Sequence, residues 1–160
     1  YKDKIVLENA EAFKGFFDIN IEDTSIIDNL YSYCNGKEGD VLKEFVDLCK
    51  EKIGRKPHAN EYFCIKCGSS SFLGRWDQDK IEKINQAKDL MEDFQKLGIS
   101  PKNREQLYAL NSLLDPSLPL VTISGLAGSG KTFITLMAAY AMVQAGYYER
   151  IKHLSWWYYS

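Results

Sequence analysis

The glycine-rich segment at residues 125–132 has the residue types and spacing best suited to chemistry. Its members are Gly125, Leu126, Ala127, Gly128, Ser129, Gly130, Lys131 and Thr132. They follow the P-loop pattern of a glycine, four residues and then Gly-Lys-Thr. Glycines let successive backbone N–H groups point into one concavity, which suits phosphate oxygens. Lys131 can reach the β- and γ-phosphates, and the Thr132 hydroxyl can join a Mg²⁺ shell. These two are therefore the candidate catalytic residues, and Thr132 is also the candidate metal ligand.

The elements on either side of this segment have the order that a phosphate-binding loop requires. Residues 118–124 form a short apolar, β-branched run, which predicts a buried strand. A helix-forming segment follows up to Gly146, and residues 151–157 have the length of a next parallel strand. The pattern predicts an α/β fold that opens with a βαβ unit on a parallel sheet. The alternative, a glycine-rich turn without a ligand, is disfavoured because the loop lies between these elements.

Hydrolysis would need more than the glycine-rich segment at 125–132, the phosphate loop. An acidic residue at the end of another strand must help hold Mg²⁺ and orient the attacking water, and an arginine often offsets the developing charge. Glu149 is the one carboxylate after Thr132, and it precedes the predicted strand instead of ending it. We therefore expect this chain to bind nucleotide with little or no turnover.

The first half of the chain predicts a small α+β region. The apolar residues within 1–33 follow neither helical nor strand spacing. Apolar residues at helical spacing predict a helix over 41–53, with Asp40 as the N-cap and Gly54 just past the end. Two apolar runs around a glycine-containing turn, within residues 62–76, predict a β-hairpin.

Two further helices are predicted between the hairpin and the phosphate loop. Apolar residues recur at steps of three or four over 79–97, and Gly98 ends that pattern. Asn103 then stands three residues before Gln106, the spacing of a capping box, and the helix that follows stops at Pro116.

Residues 99–116 and 120–125, together with the phosphate loop, closely resemble the start of the PhoH-like P-loop ATPase domain. The resemblance implies ATP and Mg²⁺ as cofactors. In that family, as in superfamily 1 helicases, the upstream glutamine resembles a Q-motif that recognises adenine, and this role is carried over to Gln106. Helix capping and adenine contact by Gln106 are compatible.

The hairpin extends the resemblance, because residues 60–77 look like the connector between a PIN ribonuclease domain and the PhoH ATPase in longer members. Such members look like ATP-dependent RNA helicase–ribonucleases. The resemblance implies an N-terminal region with a candidate PIN-domain tail and linker (1–58), a β-hairpin connector (59–78) and the N-terminal part of a PhoH-like ATPase domain (79–160). It also implies RNA as a partner of the full-length protein and a homo-oligomer when intact. After Ile151 the family pattern is lost, so we expect a truncated ATPase.

The composition is that of an ordinary globular chain. The net charge is −2, hydrophobic residues make up 45% and charged residues 26%, which excludes disordered and collagen-like classes. No apolar run reaches the roughly 18 residues of a membrane-spanning helix, and no secretory pattern is present, so we expect a cytoplasmic protein without a membrane partner. In that compartment the cysteines should be reduced thiols. They are Cys34, Cys49, Cys64 and Cys67.

Two other clusters carry an alternative chemistry. Cys64 and Cys67 have the spacing of a zinc half-site, but a structural site needs four ligands and no second close pair exists, so ordinary hairpin cysteines are favoured. A PIN nuclease would need clustered carboxylates for Mg²⁺ or Mn²⁺, and a solvated acidic face is the favoured reading of the available ones. These are Asp18, Glu22, Asp23 and Asp28.

The leading interpretation is an ATP-binding module of a PhoH-like ATPase, which in the intact family is coupled to RNA unwinding and degradation. Two rivals stay open. One is a fragment of a superfamily 1 DNA helicase-like ATPase. The other is a non-catalytic module for RNA or protein interaction, in which the phosphate loop is a remnant.

Overall fold

The computed structural model describes residues 13–37, 39–77, 79–84 and 100–152. The chain divides into two compact units, residues 1–84 and 85–160. The strands of the described residues are β1 (Phe16–Asn20), β2 (Glu61–Cys67), β3 (Ser70–Asp77) and β4 (Lys80–Lys83). The helices are α1 (Ser25–Cys34), α2 (Val41–Ile53), α3 (Arg104–Leu113) and α4 (Lys131–Gln144).

The first unit is built on a mixed sheet with the strand order β1-β2-β3-β4. β1 runs parallel to β2, with Ile19 opposite Ile65, and the other two pairs are antiparallel. The central position of β2 explains its burial, because its first five residues are all buried. β2 and β3 form the predicted hairpin, and the residue that begins its turn, Gly68, has a φ of 55°. The hairpin is thus confirmed, as the middle of a larger sheet.

Helices α1 and α2 contact one another and strands of this sheet, and they enclose an aromatic core. Phe63 on β2 lies near its centre, with its ring centroid 4.4 Å from that of Phe45 on α2. A Cβ at position 74 on β3 would lie 2.5 Å from the Phe63 ring, so glycine lets this strand pass the ring. The core therefore requires glycine at position 74, where β3 passes close to the Phe63 ring of β2.

A buried carboxylate lies at the start of β2. Glu61 is 1% exposed, and its two oxygens accept hydrogen bonds from the Arg55 guanidinium at 2.6 and 2.8 Å. The His58 backbone N–H donates to the same carboxylate at 2.9 Å. Three donors compensate for the lost hydration of the charge. The hydrogen bond with Glu61 also raises the pKa of Arg55 above its ordinary value.

The structure confirms helix α2, whose C-cap Gly54 adopts a φ of 74° as the pattern of the sequence predicted. β1 and α1 lie within residues 1–33, where apolar residues show no helical or strand spacing, so neither element was predicted. The prediction of a helix over 79–97 is wrong at its start, because residues 80–83 pair with β3 as strand β4. Ile81 is buried in the core of this sheet and Ile84 is buried just after β4, so their spacing of three does not mark one face of a helix. Residues 85–99 lie outside the described part.

In the second unit α3 packs against α4 through a small cluster of Leu110, Ile134 and Ala138. The predicted strand at 118–124 is absent, and Leu120 is 80% exposed. Residues 151 and 152 are not a strand either, and 153–157 lie outside the described residues. The expected parallel βαβ unit is therefore not formed in the described part of this unit. A strand needs a partner for its backbone N–H and C=O groups, and none of the described residues of this unit supplies one.

Helix α4 carries apolar residues around most of its surface. Ile134, Ala138 and Met142 are buried, whereas Phe133 is 58% and Tyr140 is 42% exposed. Helices with apolar residues on all sides are normally enclosed by other elements. None of the helices in the described ranges is both long and apolar enough to pass through a bilayer.

We expect Cys49 to resist alkylation in the native chain. Its side chain is fully buried in the core, and burial, with a smaller contribution from the charge of Glu61, raises its pKa to about 12. The reactive thiolate is therefore scarce at pH 8. Iodoacetamide should label the partly exposed Cys67 first, as read by peptide mass spectrometry, and label Cys49 only in urea. Equal rates at Cys49 and Cys67 in the native chain would contradict the described core.

Candidate nucleotide-binding site

The phosphate loop owes its shape to glycines. Gly128 and Gly130 have φ values of 76° and 84°, in the left-handed region that side chains with a Cβ rarely adopt. Gly130 is also the N-cap residue of α4, so the loop leads directly into the first turn of that helix. The free N–H groups and partial positive charge of a helix N-terminus attract anions. The glycine dihedrals and the helix that starts at Lys131 are observed, whereas the predicted flanking strands are not.

The Lys131 side chain folds back over the loop. Its ammonium group donates hydrogen bonds to the carbonyl oxygens of Gly125 at 2.8 Å and Leu126 at 2.6 Å. A third bond goes to the Ser129 hydroxyl at 3.3 Å. Three donors of the ammonium are thus matched by three acceptors of the loop. A bound phosphate would exchange with these weaker, neutral partners.

Gln106, in the first turn of α3, joins this helix to the phosphate loop. Its backbone N–H donates to the Asn103 side chain at 2.8 Å, which confirms Asn103 as the N-cap. Its Oε1 accepts from the backbone N–H of Lys102 at 2.7 Å. Its Nε2 donates to the carbonyl oxygen of Ser129 at 3.2 Å. The return bond of the capping box is therefore made to Lys102, one residue before the N-cap.

A cavity of about 300 Å³ lies between α3 and the loop. Its walls combine apolar and polar side chains. The residues that line it are Asn103, Glu105, Gln106, Ala109, Ile123, Ser124, Gly125, Leu126, Ser129, Lys131 and Ile134. Concave sites with largely apolar walls and few oriented polar groups are typical of small-molecule pockets.

The structure brings five of the predicted ligand-binding residues to this cavity. They are Gln106, Gly125, Leu126, Ser129 and Lys131. Four others of the loop do not line it, namely Ala127, Gly128, Gly130 and Thr132. Thr132 is exposed as the second residue of α4.

The sequence did not predict the residues that form the walls of the cavity. Asn103 and Ala109 lie three residues on either side of Gln106, so the helical spacing could have placed them on one face of α3. Ile123 and Ile134 come from segments before and after the loop. Their common position depends on how the loop and α3 pack together, which the local pattern does not reveal.

The alternative metal chemistry finds no geometric support in the described part of the chain. Cys64 and Cys67 stand three residues apart on β2, which places them on opposite faces of the strand. Among the described residues, no group of three or more His, Cys, Asp or Glu side chains converges in a metal-binding arrangement. The four cysteines are free thiols.

The four acidic residues considered for a nuclease site lie at the surface of the first unit. An oxygen of Asp18 is 3.7 Å from the Lys66 ammonium. Asp23 accepts hydrogen bonds from the hydroxyl of Ser25 at 2.7 Å and from its backbone N–H at 3.1 Å. These bonds hold the pKa of Asp23 below its ordinary value. Glu22 and Asp23 line a wide surface cleft of about 770 Å³, and Asp28 is exposed on α1.

A curated protein is similar to this chain over most of the chain's length. Protein PhoH2 of Bacillus subtilis (strain 168) is 31% identical in an alignment of 155 residues that covers 91% of the chain and 30% of PhoH2. The chain thus spans about 30% of the length of this curated relative. No family model matches, and no solved structure matches. The similarity to PhoH2 supports a PhoH-like family relationship of this chain, over a segment that covers part of the relative.

Proposed function

We propose that this chain binds ATP together with Mg²⁺ at residues 125–132, with the adenine base beside Gln106. The observation that carries the proposal is the cavity between Gln106 and the phosphate loop. It brings a hydrogen-bonding amide, apolar walls and the Lys131 ammonium together in one unit of the chain. The family relationship to PhoH2 supports the same reading.

The cavity suits the base of a nucleotide. Its volume of about 300 Å³ is at the lower end of the roughly 300–1,000 Å³ of ligand pockets. Ala109, Ile123 and Ile134 offer apolar contact to a flat ring. The Gln106 amide uses one hydrogen and one lone pair within the protein, so one of each is left to pair with a base edge.

The phosphates would lie on the exposed part of the loop. Lys131 would exchange its bonds to the neutral carbonyl oxygens of Gly125 and Leu126 for bonds to phosphate oxygens, in which the acceptor as well as the donor is charged. The Thr132 hydroxyl is exposed at the start of α4 and fits the role of a Mg²⁺ ligand. When bound, Mg²⁺ would neutralise charge on the β- and γ-phosphates.

The proposal assigns binding to this segment and assigns hydrolysis to a longer ATPase. Glu149 is the one carboxylate that follows the loop, and it is exposed beyond the end of α4. Because the chain spans about 30% of PhoH2, the remaining parts of such an ATPase would supply the acid and the arginine. RNA is proposed as the partner of that longer protein, by family relationship.

Calorimetric titration of the chain with ATP and Mg²⁺ tests the proposal. We expect saturable binding to one site, competition by base-free tripolyphosphate, and no phosphate release in a parallel assay. GTP should bind more weakly, because a pocket that presents an amide to adenine meets a different pattern of donors and acceptors in guanine. Absence of saturable ATP binding by the folded chain would refute the proposed function.

A further inference from the structure

The side chain of Gln106 makes a direct contact with the backbone of the phosphate loop. Its Nε2 donates to the Ser129 carbonyl oxygen at 3.2 Å, and a Cβ at position 130 would lie 3.4 Å from the same nitrogen. The amide therefore packs against the peptide group that joins Ser129 to Gly130. That peptide immediately precedes the first residue of α4, Lys131.

The orientation of this amide is determined by α3. The Lys102 backbone N–H donates to Oε1 of Gln106 at 2.7 Å, which turns Nε2 towards the loop. The Asn103 side chain caps the Gln106 backbone at 2.8 Å and holds the first turn in place. The amide is thus held at both ends, by the start of α3 and by the loop.

Ser129, which accepts the hydrogen bond from Gln106, also contacts Lys131. The Lys131 ammonium donates to the Ser129 hydroxyl at 3.3 Å, while Gln106 holds the carbonyl of the same residue. Ser129 is thereby held from two sides, and the left-handed Gly130 follows it. Loss of the Gln106 hydrogen bond would therefore alter the position of Lys131, because both residues contact Ser129.

The geometry points to Gln106 as a positioning residue of the phosphate loop, which sets the Ser129–Gly130 peptide for triphosphate binding whether or not a base is present. The inference rests on the proposed function and deepens it, because a residue that only reads adenine would have no effect on a ligand without a base. Base recognition and phosphate binding are then coupled through the two ends of one amide.

Gln106→Met separates the two roles. The substitution keeps the length of the side chain, removes the donor to Ser129 and adds no charge that could itself repel a polyphosphate. A lost neutral hydrogen bond changes an equilibrium constant by about 2- to 12-fold. We therefore expect base-free tripolyphosphate with Mg²⁺ to bind roughly 3- to 10-fold more weakly to this variant than to the unaltered chain. The Gly130 backbone amide resonance should shift in the ligand-free variant, because it belongs to the affected peptide group.

The control is Gln144→Met, the same change at the last residue of α4, where the side chain is exposed. It should leave tripolyphosphate affinity unchanged. Gln106→Ala, which also removes the donor without adding charge, serves if the methionine variant does not fold. Reduced tripolyphosphate affinity with retained helical circular dichroism supports the positioning role. Unchanged tripolyphosphate affinity with reduced ATP affinity overturns it and leaves the proposed function standing, whereas failure of the unaltered chain to bind either ligand refutes the proposed function itself.

Discussion

Replacing Lys131 by alanine is expected to weaken ATP binding by about 10- to 150-fold, the range that corresponds to the net worth of a hydrogen bond to a charged group. The ammonium lies over the loop, within 2.8 Å of the Gly125 and Leu126 carbonyl oxygens. It is the cation among the residues that line the cavity. Without it, the phosphates would retain the backbone N–H groups and lose the countercharge. Calorimetric titration with ATP and Mg²⁺ measures the effect.

Lys152→Ala is the matched control, because Lys152 belongs to the same unit and is exposed beyond α4. It removes the same charge and should change ATP affinity by less than about twofold, in line with the small energies of surface charges. Equal affinities for Lys131→Ala and the unaltered chain would show that the phosphates bind elsewhere. Circular dichroism of both variants checks that the helix content of the chain is retained.

Replacing Phe63 by alanine is expected to destabilise the first unit by about 3–5 kcal/mol. Phe63 is fully buried, and its ring lies against those of Phe45, Phe17 and Phe72, at centroid distances of 4.4, 5.9 and 5.9 Å. Removing it would leave a cavity between the sheet and α2 that the rigid strands cannot fill. Since small domains are stable by only about 5–15 kcal/mol, much of the unit's stability would be lost.

The lower stability of the first unit in Phe63→Ala should also make Cys49, which is buried in this core, accessible at lower urea concentrations. Pulsed alkylation of Cys49 across a urea series follows the first unit alone, and its midpoint should move to a lower urea concentration in Phe63→Ala. Phe13→Ala removes the same ring from a position that is 63% exposed and should leave the midpoint nearly unchanged. Similar midpoints for the two variants would contradict the described core.

Local sequence patterns predicted those elements whose ends are marked by particular residues. Helix α2 ends at the left-handed Gly54, and α3 begins at the side-chain cap of Asn103. The hairpin of β2 and β3 was predicted because its partners are adjacent in the chain. Each of these signals acts over a few residues, so it is visible before the fold is known.

Elements that depend on distant partners were missed or wrongly assigned. β1 pairs in parallel with β2, more than forty residues later, and no local pattern specifies that partner. At 80–83 the spacing of Ile81 and Ile84 suited a helix, but pairing of this segment with β3 made it a strand. Residues 118–124 have strand composition, yet no described residue of their unit offers an edge to pair with.

The sequence by itself determined the phosphate loop, because glycines at 125, 128 and 130 followed by Lys131 and Thr132 restrict the backbone and supply the charge locally. It also determined the cap of α3 at Asn103. Only the tertiary structure decided that Gln106 donates to Ser129 and that apolar residues of three segments enclose a cavity beside them. The reason is physical: glycine dihedrals and helix caps are short-range preferences, whereas a cavity forms only where separate segments pack together.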